Sequence, residues 1–152
     1  MRKIVELTKK PADPVLRELL ERLARGQERI RVGGLEGAGR TFLAALLFHQ
    51  LDRTLIAVVP DEREAAVWFR DLRFFFADGE ALLLPSWDLL TTDMFAFQRE
   101  TELSRLEALH RLLYGPPAVV VVSGRALLQK LPPREVIEGY SEWVSVGDTR
   151  ER

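Results

Sequence analysis

Five residues, Ala118 to Val122 (AVVVV), constrain this chain more than any others. They form an unbroken apolar run, mostly β-branched, with Gly115-Pro116-Pro117 before it and Ser123-Gly124 after it. A run with no polar alternation is the pattern of a strand covered on both faces, the situation of a strand inside a parallel sheet. Thr54 to Val59 (TLIAVV) repeats the pattern and predicts a second strand of the same kind. Arg29–Val32 and Ala81–Leu84 are shorter strand candidates, and Glu142–Val146 is a last one.

Helical patterns fill the intervals. Asp13 can cap a helix that starts at Pro14, where proline's missing N–H leaves nothing unpaired; Leu16, Leu19, Leu20 and Leu23 share one face, and Gly26 stops it. Thr41–Leu51 reads as a buried helix, Glu62 to about Ala77 as a third, Arg99–Tyr114 as an amphipathic fourth and Arg125–Leu131 as a short fifth. Pro85–Gln98 shows no clean period and reads as an ordered loop. Strands alternating with helices imply an α/β fold, a parallel sheet with flanking helices and right-handed crossovers. Gly147-Asp148 looks like a turn and cap, with Thr149–Arg152 as the first turn of a new helix, so residues 1–147 are expected to form one domain and 148–152 to begin the next.

Composition narrows the function classes. The 152 residues suit one α/β domain, and 47% hydrophobic with 30% charged residues is ordinary for a globular protein. A formal charge of −1 supplies no global field for gripping nucleic acid. With no cysteine and two distant histidines, His49 and His110, neither a disulfide nor a metal site is expected. No apolar stretch is long enough for a membrane span or an export signal, which makes the cytoplasm the default expectation. The bias of 18 Arg to 4 Lys, with no Asn, fits heat adaptation or a GC-rich genome equally well.

One motif carries possible chemistry. Gly34-Leu35-Glu36-Gly37-Ala38-Gly39-Arg40-Thr41 matches the phosphate-binding loop G-x-x-x-x-G-K-[ST] except at the lysine, and lies between a strand candidate and a helix. Such a loop turns backbone N–H groups toward phosphate oxygens. Its lysine reaches the outer phosphates, and its Thr hydroxyl holds magnesium. Here Arg40 puts a long planar fork where a compact ammonium belongs. Glu36 adds a negative charge inside the loop, and one such charge about 6 Å from a phosphate costs on the order of 2–3 kcal/mol at an effective dielectric near 20. The Ala118–Val122 strand ends without the acid that a metal-holding partner motif needs. Gly34, Gly37, Gly39, Arg40 and Thr41 therefore read as a degenerate phosphate loop, kept to pack a strand on a helix, with no catalytic and no metal-binding residue assigned. A working P-loop NTPase or helicase domain with an unusual arginine is the alternative.

Three further stretches carry a resemblance. Pro85-Ser86-Trp87-Asp88-Leu89-Leu90 followed by Asp93-Met94-Phe95, then Glu102-Leu103-Ser104-Arg105-Leu106, then Ser123 through Pro133 (SGRALLQKLPP), resemble the first motor-like domain of the excision-repair helicase UvrB. The likeness is closer to the UvrB-like module of the transcription-repair coupling factor family (Mfd), and it covers about residues 30 to 147. UvrB keeps the loop lysine and inserts an aromatic hairpin before the helix, whereas here Phe95-Ala96-Phe97-Gln98 runs straight into Arg99. The resemblance implies a remnant of a RecA/P-loop-like motor that acts as a scaffold and docking module rather than an enzyme. It implies no cofactor in this part, with ATP and magnesium belonging to a separate C-terminal motor. It implies UvrA as a partner, mainly through the following domain, RNA polymerase and DNA as partners of other regions, and contacts with the motor.

The remaining candidates have plainer readings. Trp87, Phe95 and Phe97 are a possible base-stacking platform, but anchoring a long loop accounts for them better. Phe74, Phe75 and Phe76 cannot share one helix face, so at least one should be exposed. Arg99, Arg105 and Arg111 spread around a helix and read as a solvated surface, as do Arg70 and Arg73. Ser104, Ser123 and Ser141 lack a base at plausible spacing. A non-catalytic nucleic-acid-binding domain is a third hypothesis, which would require affinity that falls steeply with salt.

Overall fold

The computed structural model describes residues 13–76, 79–87 and 94–140. Three strands form an all-parallel sheet: β1 (Leu55–Val59), β2 (Ala81–Leu84) and β3 (Val119–Ser123), in the order β1-β3-β2. The ladder pairs Leu55 with Val119 through Val59 with Ser123, and Ala81 with Val119 through Leu84 with Val122. β3 is central, and all five of its residues are buried. The valine run thus has the two-faced burial its composition demands.

Six helices accompany the sheet among the described residues: α1 (Pro14–Ala24), α2 (Ala38–Leu51), α3 (Glu62–Phe75), α4 (Met94–Tyr114), α5 (Gly124–Leu127) and α6 (Arg134–Tyr140). Local chemistry sets several ends. Asp13 accepts from the Val15 and Leu16 N–H groups at the start of α1, and Asp61 accepts from the Glu64 N–H at 2.9 Å at the start of α3. Asp52 closes α2 in the left-handed conformation at φ 46°, its N–H reaching the Phe48 carbonyl.

Each face of the sheet has its own core. On one face, Ala45 and Phe48 of α2 and Ala65 and Leu72 of α3 pack with Phe76, Val59, Val119 and Val121. On the other, Ala108 and Leu109 of α4, Ala126 of α5 and Ile137 of α6 pack with Leu82, Leu84, Val120 and Val122. The β1-to-β2 connection crosses the first face and the β2-to-β3 connection the second, in opposite lateral directions, as crossovers of one hand must. Burying the four central valines on both faces contributes roughly 1.5–3 kcal/mol each before entropy is charged against it.

Five sequence expectations need correction. Arg29–Val32 forms no strand and pairs with none among the described residues, so its strand-like composition finds no ladder there. β1 is not covered on both faces: Ile56 and Val58 are each 56% exposed on the face of the second core, where α4 reaches β2 and β3 only. The helix expected from Arg99 starts at Met94, inside the stretch read as a loop. The helix expected over Arg125–Leu131 ends at Leu127, its last turn closed by the Leu128 N–H to the Gly124 carbonyl and the Gln129 N–H to the Ala126 carbonyl. α6 was not anticipated, since Pro132-Pro133 read as a stop; the Val136 and Ile137 N–H groups bond the Pro133 carbonyl, so the prolines precede a helix instead. The expected strand Glu142–Val146 and the expected domain start at 148–152 lie outside the described residues.

Among the phenylalanines, Phe74 is 60% exposed whereas Phe76 is buried, in line with three neighbours that cannot share a face. Phe42 and Phe75 meet edge to face with centroids 5.7 Å apart, joining α2 to α3.

Candidate functional site

The glycine loop folds as a turn that enters α2. Gly34 and Gly37 take φ of 78° and 50°, a region where a side chain is strained, and Gly37 is the residue preceding the first helical position. Four of the loop's donor groups are engaged within the chain. The Gly39 N–H donates to the Glu36 carbonyl at 3.0 Å and the Arg40 N–H to the Gly37 carbonyl at 3.3 Å. Thr41 is buried, and its hydroxyl donates to the Ala38 carbonyl at 3.0 Å. The Arg40 guanidinium pairs with the Glu64 carboxylate on α3 at 3.0 Å. Glu64 also accepts from the Trp68 indole N–H at 3.2 Å, which steadies it against α3.

These contacts bear on fit. A magnesium triphosphate needs inward N–H groups, a free cation for the outer phosphates and a hydroxyl for the metal. Here two of the N–H groups close turns, the cation is held by a carboxylate and the hydroxyl back-bonds its own helix. Glu64 thus puts a carboxylate against the residue that stands at the lysine position. The residues present do not fit that group. The five loop residues named from the sequence are brought together by the turn, where the Gly39 and Arg40 N–H groups, the Thr41 hydroxyl and the Arg40 guanidinium all have partners within the chain.

The polar groups that sequence reasoning missed lie at the carboxyl ends of the strands. Ser123, the last residue of β3, is fully buried; its hydroxyl donates to the Glu62 carboxylate and accepts from the Ala126 N–H at 2.9 Å, capping α5. A carboxylate thus does stand at the end of the valine strand, supplied from the first turn of α3. Next to it, Arg105 of α4 is 2% exposed, which overturns its reading as a solvated residue. Its Nη1 donates to the Pro85 carbonyl and, at 3.5 Å, to the Gln129 amide oxygen, and its guanidinium sits 5.1 Å from the centre of the Trp87 ring. Gln129 in turn accepts from the Trp87 N–H at 2.8 Å and donates to the Trp87 carbonyl at 3.3 Å. Nη2 of Arg105 is buried with no hydrogen-bond partner among the described residues. Burial pushes the Arg105 guanidinium below its ordinary range, an effect opposed by the field of Glu62.

Trp87 is therefore a packing residue here, tied on both backbone groups and faced by a cation; the side chains of Phe95 and Phe97 lie outside the described residues. The signal that would have exposed Arg105 is its register: it falls one turn before Ala108 and Leu109, on the buried stripe of α4.

Among the described residues, no three His, Cys, Asp or Glu side chains converge as a metal site, and no helix is long and apolar enough to cross a membrane.

Fold and loop together define a parallel α/β domain with a glycine turn of the phosphate-loop pattern leading into its first sheet-packed helix. Comparison with known proteins places that class. A transcription-repair-coupling factor of Myxococcus xanthus is 34% identical over 143 residues, which are 89% of this chain and 12% of that protein. The same factor of Bacillus subtilis is 24% identical over 131 residues, 86% of this chain and 11% of its own length. UvrABC system protein B of Kosmotoga olearia is 25% identical over 134 residues, covering 79% of this chain and 20% of that protein. The chain belongs to the UvrB-like regions of the transcription-repair-coupling factor family. It spans about an eighth of the length of the first of these relatives. No family model matches the chain, and no solved structure matches it.

Proposed function

We propose that the chain is the non-catalytic UvrB-like module of a cytoplasmic DNA-repair factor, built on the remnant of a RecA/P-loop-like motor and acting as scaffold and docking surface. One observation carries the reading: Arg40, at the position of the phosphate-binding lysine, is spent on Glu64 of the neighbouring helix at 3.0 Å. A residue that ties α2 to α3 serves packing, and packing is what a scaffold asks of this loop. In the polypeptide as a whole, the reading assigns ATP hydrolysis to a separate C-terminal motor, UvrA to the domain that follows residue 147, and stalled RNA polymerase and DNA to other regions. Contacts between this module and the motor would be regulatory.

The test is calorimetry with ATP or ADP in magnesium buffer. No heat of binding at micromolar nucleotide is expected for the chain, nor for Arg40→Lys, because the lysine would leave the Gly39 and residue-40 N–H groups in their turns. A Kd in the micromolar range for the unaltered chain overturns the scaffold reading in favour of a live nucleotide domain.

A further inference from the structure

β2 pairs with β3 on one side, and among the described residues no strand pairs with its other side. The backbone at that edge has a definite phase. In a parallel ladder, alternate residues turn both N–H and C=O toward the same neighbour. The Val119 N–H bonds the Glu80 carbonyl at 2.8 Å, so Glu80, Leu82 and Leu84 turn their backbone groups toward β3. Ala81 and Leu83 turn theirs outward. A cavity of about 380 Å³ opens along this edge, with Ala81 and Leu83 in its lining. The two helices beside β2 wall it: α3 contributes Phe69 and Arg73 on the first face, and α4 contributes Ser104 and Glu107 on the second. The Arg73 guanidinium lies 5.8 Å from the centre of the Phe69 ring, which steadies it at its wall. Arg73 and Glu107 carry opposite charges beside one cavity, and neither forms an ion pair among the described residues.

An extended segment laid along this edge meets both walls. Successive side chains of a strand point to opposite faces of the sheet. One residue of the segment therefore faces Phe69 and Arg73, and the next faces Ser104 and Glu107. A carboxylate suits the first wall, and an ammonium or guanidinium suits the second. Charge beside an edge deters indiscriminate pairing, so the groups that turn away an apolar strand select one with this pattern. β1 and β2 themselves carry no charge, and edge-to-edge pairing of two copies through either strand leaves both walls unmatched.

We propose that the β2 edge is a recognition site for an extended segment of a partner protein, which adds a strand at Ala81 and Leu83 and carries an acidic residue next in sequence to a basic one. Main-chain bonds supply the affinity, and the two walls supply the selectivity. The assignment rests on the docking role proposed above and gives it a ligand class. No residue of the glycine loop lines the cavity, so nucleotide calorimetry tests the loop and peptide binding tests this edge separately.

The test uses capped peptides, about eight residues long, of valine and threonine with one Glu and one Lys, either adjacent or separated by one residue. The adjacent pair reaches both walls, whereas the separated pair puts both charges on one face. Fluorescence anisotropy reads binding, and hydrogen exchange of the Ala81 and Leu83 amides locates it. The adjacent-pair peptide is expected to bind at least about threefold tighter than the separated one and to slow exchange of those two amides. Arg73→Glu, at an exposed position, should melt as the unaltered chain does and weaken the adjacent-pair peptide about tenfold. Equal affinity for the two peptides, or no binding of either at millimolar concentration, overturns the site. So does binding that leaves the Ala81 and Leu83 amides or the Arg73→Glu affinity unchanged. Slow exchange of both amides in the free chain also overturns it: if it grows with protein concentration the edge belongs to a second copy, and if it does not the edge belongs to the chain's own residues.

Discussion

The glycine loop and the strand-end cluster show opposite relations between motif and structure. The loop matches a known pattern at seven of its eight positions by residue class, yet its distinctive side chain makes a half-exposed ion pair on the surface between two helices. The strand-end cluster matches no phosphate-loop motif, although its residues lie in the stretches that carry the family likeness, yet it buries the Arg105 guanidinium against Pro85, Trp87 and Gln129 and the Ser123 hydroxyl against Glu62. An ion pair in water is worth little, whereas a polar group taken out of water must be satisfied or its desolvation is lost outright. Stability should therefore follow the cluster and not the loop.

The largest effect is expected at Arg105. Arg105→Ala removes a buried side chain, leaves a void against Trp87 and frees the Pro85 carbonyl and Gln129 inside the protein. Chemical denaturation should show a loss of about 2–4 kcal/mol. A loss comparable to that of Arg40→Ala would erase the contrast between the two regions. Ser123→Ala should come next, at about 1–2 kcal/mol, because it deprives Glu62 of a donor and the α5 N-terminus of its cap. Arg40→Ala should cost at most about 1 kcal/mol in the same assay, since its pair with Glu64 is open to water. A larger loss would show that the loop holds α2 and α3 together more firmly than an exposed pair can.

The smallest effect is a pH response at the far end of the molecule. The Tyr114 hydroxyl donates to Glu138 at 2.6 Å and Arg134 donates to it at 3.1 Å. These bonds, the tyrosine's first, hold the Glu138 carboxyl below its ordinary range. A carboxyl depressed in the folded state contributes stability above its unfolded pKa, and the contribution fades as pH falls through the lower folded value. Tyr114→Phe should therefore shrink a small acid-side slope in stability, with its slight loss seen at neutral pH and vanishing at low pH, as followed by melting temperature across an acid titration.

Much of the fold was legible because it rests on local patterns. The valine run and the Asp13-Pro14 start each state their own structure. What was hidden depended on neighbours. Arg29–Val32 has the composition of a strand but pairs with none of the described residues, and β1 has the composition of an interior strand but stands at the edge of the described sheet. The first turns of α4 escaped because Pro85–Gln98 as a whole shows no clean period, although a helix adds a backbone bond per residue whether or not a stripe can be read. Arg105 escaped because an arginine among arginines reads as surface until its register against Ala108 is set beside the sheet. The loop was found by its glycines, but the use made of Arg40 depended on Glu64 in the next helix, which no loop motif includes.

The order of the strands has a consequence for synthesis. β1 and β2 never touch each other; each is stitched only to β3, the last of the three to be made. No part of this sheet can assemble until Ser123 has left the ribosome, and until then the apolar Leu55–Val59 and Ala81–Leu84 wait without partners. A nascent chain paused between Leu84 and Val119 is thus the form most exposed to aggregation and most in need of a chaperone.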